Sequence, residues 1–399
     1  MGVDLKAAAA RHRDELVNTV IPFWETRCED REFGGYFTFL DRDGSVYDTE
    51  KFMWMQWRIV YMFATLHQEL EPRPRWLELA RRGYDFLVEH GKDPEGNYYF
   101  ALNRQGVPSA AAHSIYSECF AAMGAAALHK ATGEAAHRRE AESAMAHYLA
   151  RMDNPKGRWD KSLPGRPRRR SLGHYMILAN LGQALGHCLG TADYAKDVDH
   201  AIEVVLGEFW NPGLRLLFEN VNVDGSFDLG SCAGREINVG HGLEAMWFIL
   251  ERAEATGDRA VVAKAAEIVL ALLDFGWDKR HGGIFYFMDA LGKPHVELQA
   301  DMKLWWVHNE ATLAALYAHR LTGDSVFLDW FERLDQWSWS HFRDGVHGEW
   351  FGYLDRQGEP SNQLKGGKWK GFFHLPRFLL KASRLLADAS VPSVAQCVP

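Results

Sequence analysis

Along most of the chain, apolar residues recur every three to four positions, the spacing that places them on one face of an α-helix. Segments 119–128 and 245–250 are apolar or small on every face, which indicates helices buried on all sides. Segments 76–89 and 138–151 alternate apolar stripes with charges, as helices on an outer wall do. The pattern predicts twelve helices, at residues 5–28, 51–68, 75–90, 114–132, 134–152, 172–188, 194–209, 238–256, 259–275, 304–322, 325–341 and 372–387.

An aromatic string that ends in glycine recurs between the helices. Its first copy is Gly34-Gly-Tyr-Phe-Thr-Phe-Leu-Asp-Arg-Asp-Gly44, and further copies occupy 96–106, 283–292 and 348–358. A weaker copy lies at 217–225, and residues 157–165 fall where another is expected. The closing glycines, at positions 44, 106, 165, 225, 292 and 358, are 62, 59, 60, 67 and 66 residues apart. Alternating aromatic runs bounded by turn residues predict short β-hairpins.

Six near-equal units, each with two helices, predict an all-α fold of the (α/α)6-barrel type. Twelve helices would stand in six hairpins, with the β-hairpins on one rim. A chain of 399 residues usually divides into two domains, but a repeat that closes on itself forms one. We therefore expect a single catalytic domain at residues 1–390 and a C-terminal tail at 391–399.

Composition narrows the class of protein. The formal net charge of −8, with charges scattered, argues against a nucleic-acid or membrane partner. The five cysteines are odd in number and far apart, which fits a reduced cytoplasm better than a disulfide framework. No stretch reaches the length of a transmembrane helix, and the first residues lack an apolar signal segment. The expectation is a soluble cytoplasmic protein.

One stretch, Lys365-Gly-Gly-Lys-Trp-Lys-Gly-Phe-Phe-His-Leu-Pro-Arg377, places His374 behind three glycines where a loop becomes the last helix. Pro376 suits the first turn of that helix. The positive end of the helix dipole disfavours the imidazolium form, so His374 is suited to accept a proton. A packed histidine that closes a C-terminal helix is the alternative.

The inner helices run in one direction, so their first turns face one cavity. Polar and aromatic candidates there are Arg58, Tyr116, Asn180, His241, Glu244, Trp305, Trp306, Glu310, Trp369, His374 and Arg377. Packing or a buried ion pair is the alternative role for the tryptophans, Arg58, Tyr116 and Asn180, and His174 and His308 are expected to support the site. The chain has no HExxH, GxSxG or P-loop motif.

Long motifs in this order resemble the N-acylglucosamine 2-epimerase family over nearly the full chain. They are Gly34-Gly-Tyr-Phe37, Lys51-Phe-Met-Trp-Met-Gln-Trp-Arg58, Asp153-Asn-Pro-Lys-Gly157, Met176-Ile-Leu-Ala-Asn-Leu181, Gly240-His-Gly-Leu-Glu-Ala-Met-Trp247, Met302-Lys-Leu-Trp-Trp-Val-His-Asn-Glu310, Gly348-Glu-Trp-Phe-Gly-Tyr-Leu354 and the stretch 365–377.

The resemblance implies an (α/α)6 barrel without a metal, in which His241 and His374 exchange a proton at C2 of an open-chain aldose. Arg58 and Glu310 occupy the family's other functional positions. The expected substrate pair is N-acetylglucosamine and N-acetylmannosamine. The resemblance also implies a homodimer that requires no cofactor, with ATP as an allosteric activator.

Three departures from the family pattern keep other substrates open. Val239 replaces a usual proline, Gln299-Ala300 a usual Glu-Trp, and His174-Tyr175 a short apolar pair. Free mannose or glucose is therefore an alternative substrate. An aldose-ketose isomerase on the same fold, such as a mannose/fructose isomerase, and a non-catalytic sugar or protein binder are the alternative functions.

Overall fold

The computed structural model describes residues 4–389 apart from Pro164 and Pro167, so the predicted tail at 391–399 lies outside the described residues. In chain order the helices are α1 (Leu5–Glu15), α2 (Ile21–Arg27), α3 (Met53–Glu69), α4 (Pro74–His90), α5 (Tyr116–Thr132), α6 (Ala135–Arg151), α7 (Leu172–Leu189), α8 (Ala195–Val204), α9 (Val239–Thr256), α10 (Arg259–Gly276), α11 (Trp305–Thr322), α12 (Val326–His341) and α13 (His374–Ala389). A π-helical turn at Leu16–Val20 joins α1 and α2 into one rod, and another at Val205–Phe209 extends α8.

The helices form two concentric rings, as the pattern predicts. The inner ring consists of α3, α5, α7, α9, α11 and α13, and each packs against an outer helix and an inner neighbour. Helix α5 is buried at every position from 117 to 128, whereas its outer partner α6 is buried at only one stripe. Glycine allows the inner helices to approach closely, since a Cβ on Gly124 would lie 2.9 Å from the backbone oxygen of Trp57. The predicted (α/α)6 barrel is confirmed.

Short strands cover the rim at which the inner helices begin. They are β1 (Phe39–Leu40), β2 (Val46–Asp48), β3 (Lys51–Phe52), β4 (Ala101–Leu102), β5 (Pro108–Ala110), β6 (Arg169–Ser171), β7 (Trp210–Asn211), β8 (Leu216–Leu217), β9 (Asn220–Asn222), β10 (Glu236–Asn238), β11 (Phe287–Asp289), β12 (Lys303–Leu304) and β13 (Tyr353–Leu354). All pairs are antiparallel.

The repeated strings link neighbouring units. Those that close at Gly44 and Gly106 form the hairpins β1–β2 and β4–β5. The strands β3, β6, β10 and β12 each precede an inner helix, and they pair with β4, β9, β11 and β13 from the next unit. Residues 157–165 contain a single 3₁₀ turn, Gly157–Trp159, in place of a hairpin in their described part. Each pairing thus fixes the start of an inner helix against its neighbour.

The two ends of the chain close the ring. Helix α1 packs against α13, so the sixth helix pair joins the beginning and the end of the described chain. The backbone amides of Lys365 and Gly366 donate hydrogen bonds to the carbonyl oxygen of Leu40, at 2.9 and 3.1 Å. This contact holds the glycine-rich stretch against the first unit and fixes the position from which α13 starts.

Candidate active site

A cavity of about 1030 Å³ opens at the rim where the inner helices begin. Eight of the residues proposed from the sequence line it: Arg58, Tyr116, His241, Glu244, Trp305, Trp306, Trp369 and His374. Trp369 is 54% exposed at the mouth and packs edge-on against Trp54, with ring centroids 5.0 Å apart. The inner helices therefore bring most of the predicted site together, although its members are far apart in sequence.

His374 is the first residue of α13 and is buried. Its Nδ1 lies 2.7 Å from Glu310 Oε1, on the neighbouring helix α11. An ionised carboxylate can only accept hydrogen bonds, so Nδ1 carries a proton and Nε2 is the nitrogen left for a substrate. Glu310 therefore sets both the tautomer and the orientation of the imidazole.

Glu310 is fully buried and held by three donors. Besides His374, the Nη2 of Arg377 donates to its Oε1 at 2.8 Å, and the Trp247 indole donates to its Oε2 at 2.6 Å. The same Nη2 donates to Glu244 Oε1 at 2.7 Å. One guanidinium thus bridges two buried carboxylates and offsets part of their charge, which would otherwise be costly to bury.

The ligand atoms of Glu244, Glu310 and His374 all lie within 4.8 Å of one another, a spacing that could suit a metal ion. Arg377 Nη2 lies among them, 2.7 to 2.8 Å from the two carboxylates and 3.4 Å from His374 Nδ1. A divalent cation would meet this positive charge, and His374 Nδ1 already carries a proton. The three side chains therefore fit an arginine-balanced network and do not fit a metal site.

His241 lies in the first turn of α9, where the side chain of Asn238 caps the helix by accepting from the His241 amide at 3.0 Å. Its Nδ1 is 3.0 Å from Glu219 Oε2, and 30% of its side chain is exposed toward the cavity. Gly240 precedes it, and a Cβ there would lie 2.6 Å from the Trp306 ring. The glycine therefore lets Trp306 pack beside the histidine.

The two histidines have opposite pKa shifts. Burial, followed by the positive charges of Arg58 and Arg377, lowers the pKa of His374 well below its usual value despite the field of Glu244. Burial also opposes a charge on His241, but the charge of Glu219 and the hydrogen bond to it outweigh burial and raise the pKa of His241. The two imidazoles therefore differ in proton affinity, and His241 is the more basic of the two.

Arg58 presents a buried positive charge to the cavity. Its guanidinium carbon lies 4.0 Å from the ring centroid of Phe120, 4.5 Å from that of Phe373 and 4.8 Å from that of Trp54. Among the described residues, its Nε has no hydrogen-bond partner. Burial lowers the pKa of Arg58 to about 10, so it remains charged at neutral pH. An aromatic cage thus holds a cation with unused donor capacity.

Trp306 lies between the two histidines. Its ring centroid is 5.5 Å from that of His241 and 5.7 Å from that of His374. Trp305 meets His374 edge-on at 6.1 Å. Trp306 therefore supplies a flat apolar ring beside both histidines.

Two residues predicted to bind substrate lie elsewhere. Asn180 and Arg377 line a second cavity of about 830 Å³, at the ends of the inner helices away from the histidines. Arg377 reaches the site through Glu244 and Glu310. Asn180 lines the second cavity and not the first, and its role in binding stays a prediction.

The two further histidines differ from each other. His174 lines the histidine cavity. His308 accepts a hydrogen bond from the Ile284 amide and contacts the Leu304 carbonyl, and burial lowers its pKa to about 3. Its contacts make His308 a structural histidine.

Sequence reasoning missed Glu219 and Trp247, the partners of His241 and Glu310. Glu219 lies in the weakest of the repeated strings, between two buried strands, and is itself buried. The sequence did offer a signal for Glu219, which is a carboxylate inside an apolar string. Burying an unpaired carboxylate is unfavourable, so such a residue is expected to have a polar or charged partner. Trp247 offered no signal beyond its presence in an apolar helix.

The chain is similar in sequence to a known family of enzymes. Residues 35–377 match the model of the family N-acylglucosamine 2-epimerase (GlcNAc 2-epimerase). The N-acylglucosamine 2-epimerase of Bos taurus is 38% identical over 397 residues, covering 96% of this chain and 92% of that protein. That of Homo sapiens is 37% identical over 393 residues, covering 96% and 91%.

Solved structures share the fold. Cellobiose 2-epimerase from Spirochaeta thermophila DSM 6192 superposes with a TM-score of 0.82 at 21% identity, covering 96% of this chain and 98% of that chain. No helix in the described part of the chain has the length and apolar character needed to cross a membrane. By sequence and fold, the chain belongs to the N-acylglucosamine 2-epimerase family of carbohydrate isomerases.

Proposed function

We propose that this enzyme interconverts N-acetylglucosamine and N-acetylmannosamine by removing a proton from C2 of the open-chain sugar and returning one to the opposite face. The observation that carries the proposal is the pair of histidines in one cavity, each held by a carboxylate through Nδ1. Inversion at C2 needs a base on one side and an acid on the other. The acetamido substrate is supported by the close relatives of this chain.

When the substrate is the epimer whose C2–H faces His374, neutral His374 accepts the C2 proton on Nε2 as the C2–H bond breaks. The electron pair forms an enolate, whose charge develops on the oxygen at C1. The His241 imidazolium then donates its Nε2 proton to the other face of C2, and the carbonyl re-forms. Each histidine acting as general acid or base is expected to contribute about 10² to 10⁴ in rate.

Arg58 is the group proposed to stabilise the enolate. Its charge is buried and its Nε lacks a protein partner among the described residues, so a developing oxyanion would gain a charge-assisted hydrogen bond. Removal of one such donor typically costs about 10² to 10³ in kcat. Proton transfer and enolate stabilisation thus both come from side chains, and the proposed reaction requires no cofactor.

From the family resemblance we also propose a homodimeric state and activation by ATP. The proposed cytoplasmic location rests on the dispersed cysteines, and the proposed single catalytic domain at 1–390 rests on the repeat that closes on itself. Sedimentation gives the oligomeric state, and activity measured with and without ATP decides whether ATP is an activator.

The reaction is tested in deuterated water with N-acetylmannosamine, N-acetylglucosamine and mannose as separate substrates. The expected product is the C2 epimer carrying deuterium at C2, read by proton NMR. A ketose would instead identify an aldose-ketose isomerase, and turnover of mannose alone would identify a free-hexose epimerase. Absence of exchange with every aldose would refute the proposal and favour a binding protein.

Single-histidine variants test the two-base mechanism. In His241→Asn, His374 remains, so the epimer that faces it should exchange its C2 proton with solvent without being converted. His374→Asn should exchange the C2 proton of the other epimer in the same way once the pH is high enough to leave His241 neutral. Exchange of both epimers by one variant would show that a single base serves both faces. His308→Asn is the matched control, because that histidine has no place in the proton transfer.

A further inference from the structure

The two carboxylates behind the histidines differ in how their charges are compensated. Glu310 shares Arg377 Nη2 with Glu244 and also accepts from Trp247. Arg377 therefore offsets part of the negative charge of Glu310 before His374 contributes anything. An imidazolium at position 374 would add a second positive charge beside the guanidinium, 3.4 Å from its Nη2.

Glu219 has no such partner. Ser171 Oγ donates to its Oε1 at 3.2 Å, and His241 Nδ1 approaches its Oε2 at 3.0 Å. In the described part of the chain, His241 is the only basic side chain within ion-pair distance of this carboxylate. The buried charge of Glu219 is therefore balanced only when His241 is protonated.

The other charged groups around the site reinforce this difference. Glu244 adds negative charge near His241, and so does Glu236 when it is ionised, although burial and then Glu219 raise the pKa of the Glu236 carboxyl to about 7. Arg58 adds positive charge near His374, where the charge of Glu244 opposes its effect. Neighbouring carboxylates thus raise the pKa of His241, whereas Arg58 and Arg377 both lower the pKa of His374.

We propose that Glu219 is a positioning residue that stores the proton of the resting enzyme on His241 and so leaves His374 as the free base. This proposal rests on the proposed function. It adds that the two histidines are not interchangeable: the resting enzyme is prepared to deprotonate only the epimer whose C2–H faces His374.

The stored proton must be reset after each conversion. His374 gains the proton taken from C2, and His241 loses the proton that it donates to C2. After one conversion the positive charge is therefore on His374, and His241 is neutral. Before the same epimer can react again, His374 must release a proton to water and His241 must take one up. This exchange with solvent conserves protons and needs no further reactant.

The experiment is ¹⁵N NMR of histidine side chains in the full chain without substrate. The chain has 18 histidines, so the two signals are assigned by their loss in His241→Asn and His374→Asn. At neutral pH we expect His241 to show two protonated ring nitrogens and His374 one. Equal protonation of the two histidines would overturn the proposal. Because no turnover is needed, this failure is distinct from failure of the proposed epimerase reaction.

Glu219→Gln supplies the decisive perturbation, since it keeps the size of the side chain and a hydrogen-bond acceptor while removing the charge. The titration midpoint of His241 should fall by about 1 to 2 pH units, the shift that corresponds to loss of a hydrogen bond to a charged group. The basic limb of kcat/KM should move to lower pH by the same amount. Glu219→Asp, which restores the charge, should recover most of the shift.

Ser171→Ala is the control for a merely structural role. It removes the other side chain that contacts Glu219 and leaves the charge in place, so the His241 midpoint should stay close to that of the parent enzyme. If Glu219→Gln folds normally and the His241 midpoint does not move, Glu219 does not store the proton. If Glu219→Gln fails to fold, the ¹⁵N titration of the parent enzyme decides, and a His241 midpoint no higher than that of His374 overturns the proposal.

Discussion

Replacement of Arg377 by methionine removes the charge that balances the inner carboxylates. Its Nη2 is bonded to Glu244 at 2.7 Å and to Glu310 at 2.8 Å, and all three side chains are buried. Breaking a buried ion pair by removing one partner typically costs about 3 to 5 kcal/mol, because a buried charge is left uncompensated. We expect the free energy of unfolding of Arg377→Met to fall by that amount, as measured by urea denaturation.

The same change should raise the pKa of His374. A unit charge about 4 Å away in a partly shielded site contributes roughly 4 kcal/mol, or about three pKa units. Relaxation of the carboxylates and entry of water reduce the effect, so an increase of about one to two units is expected. His374 must be neutral to accept a proton, and its pKa is depressed in the parent enzyme. A higher pKa therefore moves the acidic limb of kcat/KM to higher pH.

The assay is the pH dependence of kcat/KM, with Arg377→Lys as the charge-retaining control. A single nitrogen makes both contacts in the parent enzyme, so an ammonium can replace the charge and should restore most of the acidic limb. An unchanged acidic limb in a folded Arg377→Met protein would refute the argument that Arg377 keeps His374 neutral.

Three further variants test the site and the fold. Glu310→Gln should lower kcat about 10- to 100-fold with little change in KM, through loss of a charge-assisted bond to His374; an unchanged kcat would contradict the orienting role. Arg58→Met should lower kcat about 10²- to 10³-fold, and a change confined to KM would instead indicate ground-state binding. Lys370→Met should reduce the free energy of unfolding by about 3 to 5 kcal/mol. The substitution leaves the buried carboxylate of Glu349 without the ammonium group that lies 2.7 Å from it in the parent enzyme. Lys6→Met, on the exposed surface, is the control.

The sequence anticipated the fold because the barrel is repetitive. Periodicity distinguishes helices buried on all sides from helices with one apolar stripe, and six evenly spaced glycines mark the units. The position of His374 at the start of the last helix followed from local chemistry, three glycines and a proline. These properties depend on neighbouring residues, so a single sequence determines them.

Strand pairing was less accessible to sequence reasoning. The strings that end at Gly292 and Gly358 are predicted to be hairpins, but their main pairings are those of β11 with β10 and of β13 with β12, which precede inner helices. At Gly358 a single antiparallel bridge, Leu354 to Pro360, is what forms of the predicted hairpin. The alternation of residues in a strand shows that it can pair, but not with which partner, because the partner's distance in space is set by the ring.

What the sequence by itself determined about this protein was a barrel of paired helices with two histidines at the same rim. Only the tertiary structure decided that Glu219 contacts the Nδ1 of His241. It likewise decided that Arg377 donates to Glu310, the carboxylate that contacts His374. It also decided that Asn180 lines the opposite cavity. The reason is physical: the proton affinity of a histidine depends on burial and on charges a few ångströms away, and those charges come from units tens to hundreds of residues apart.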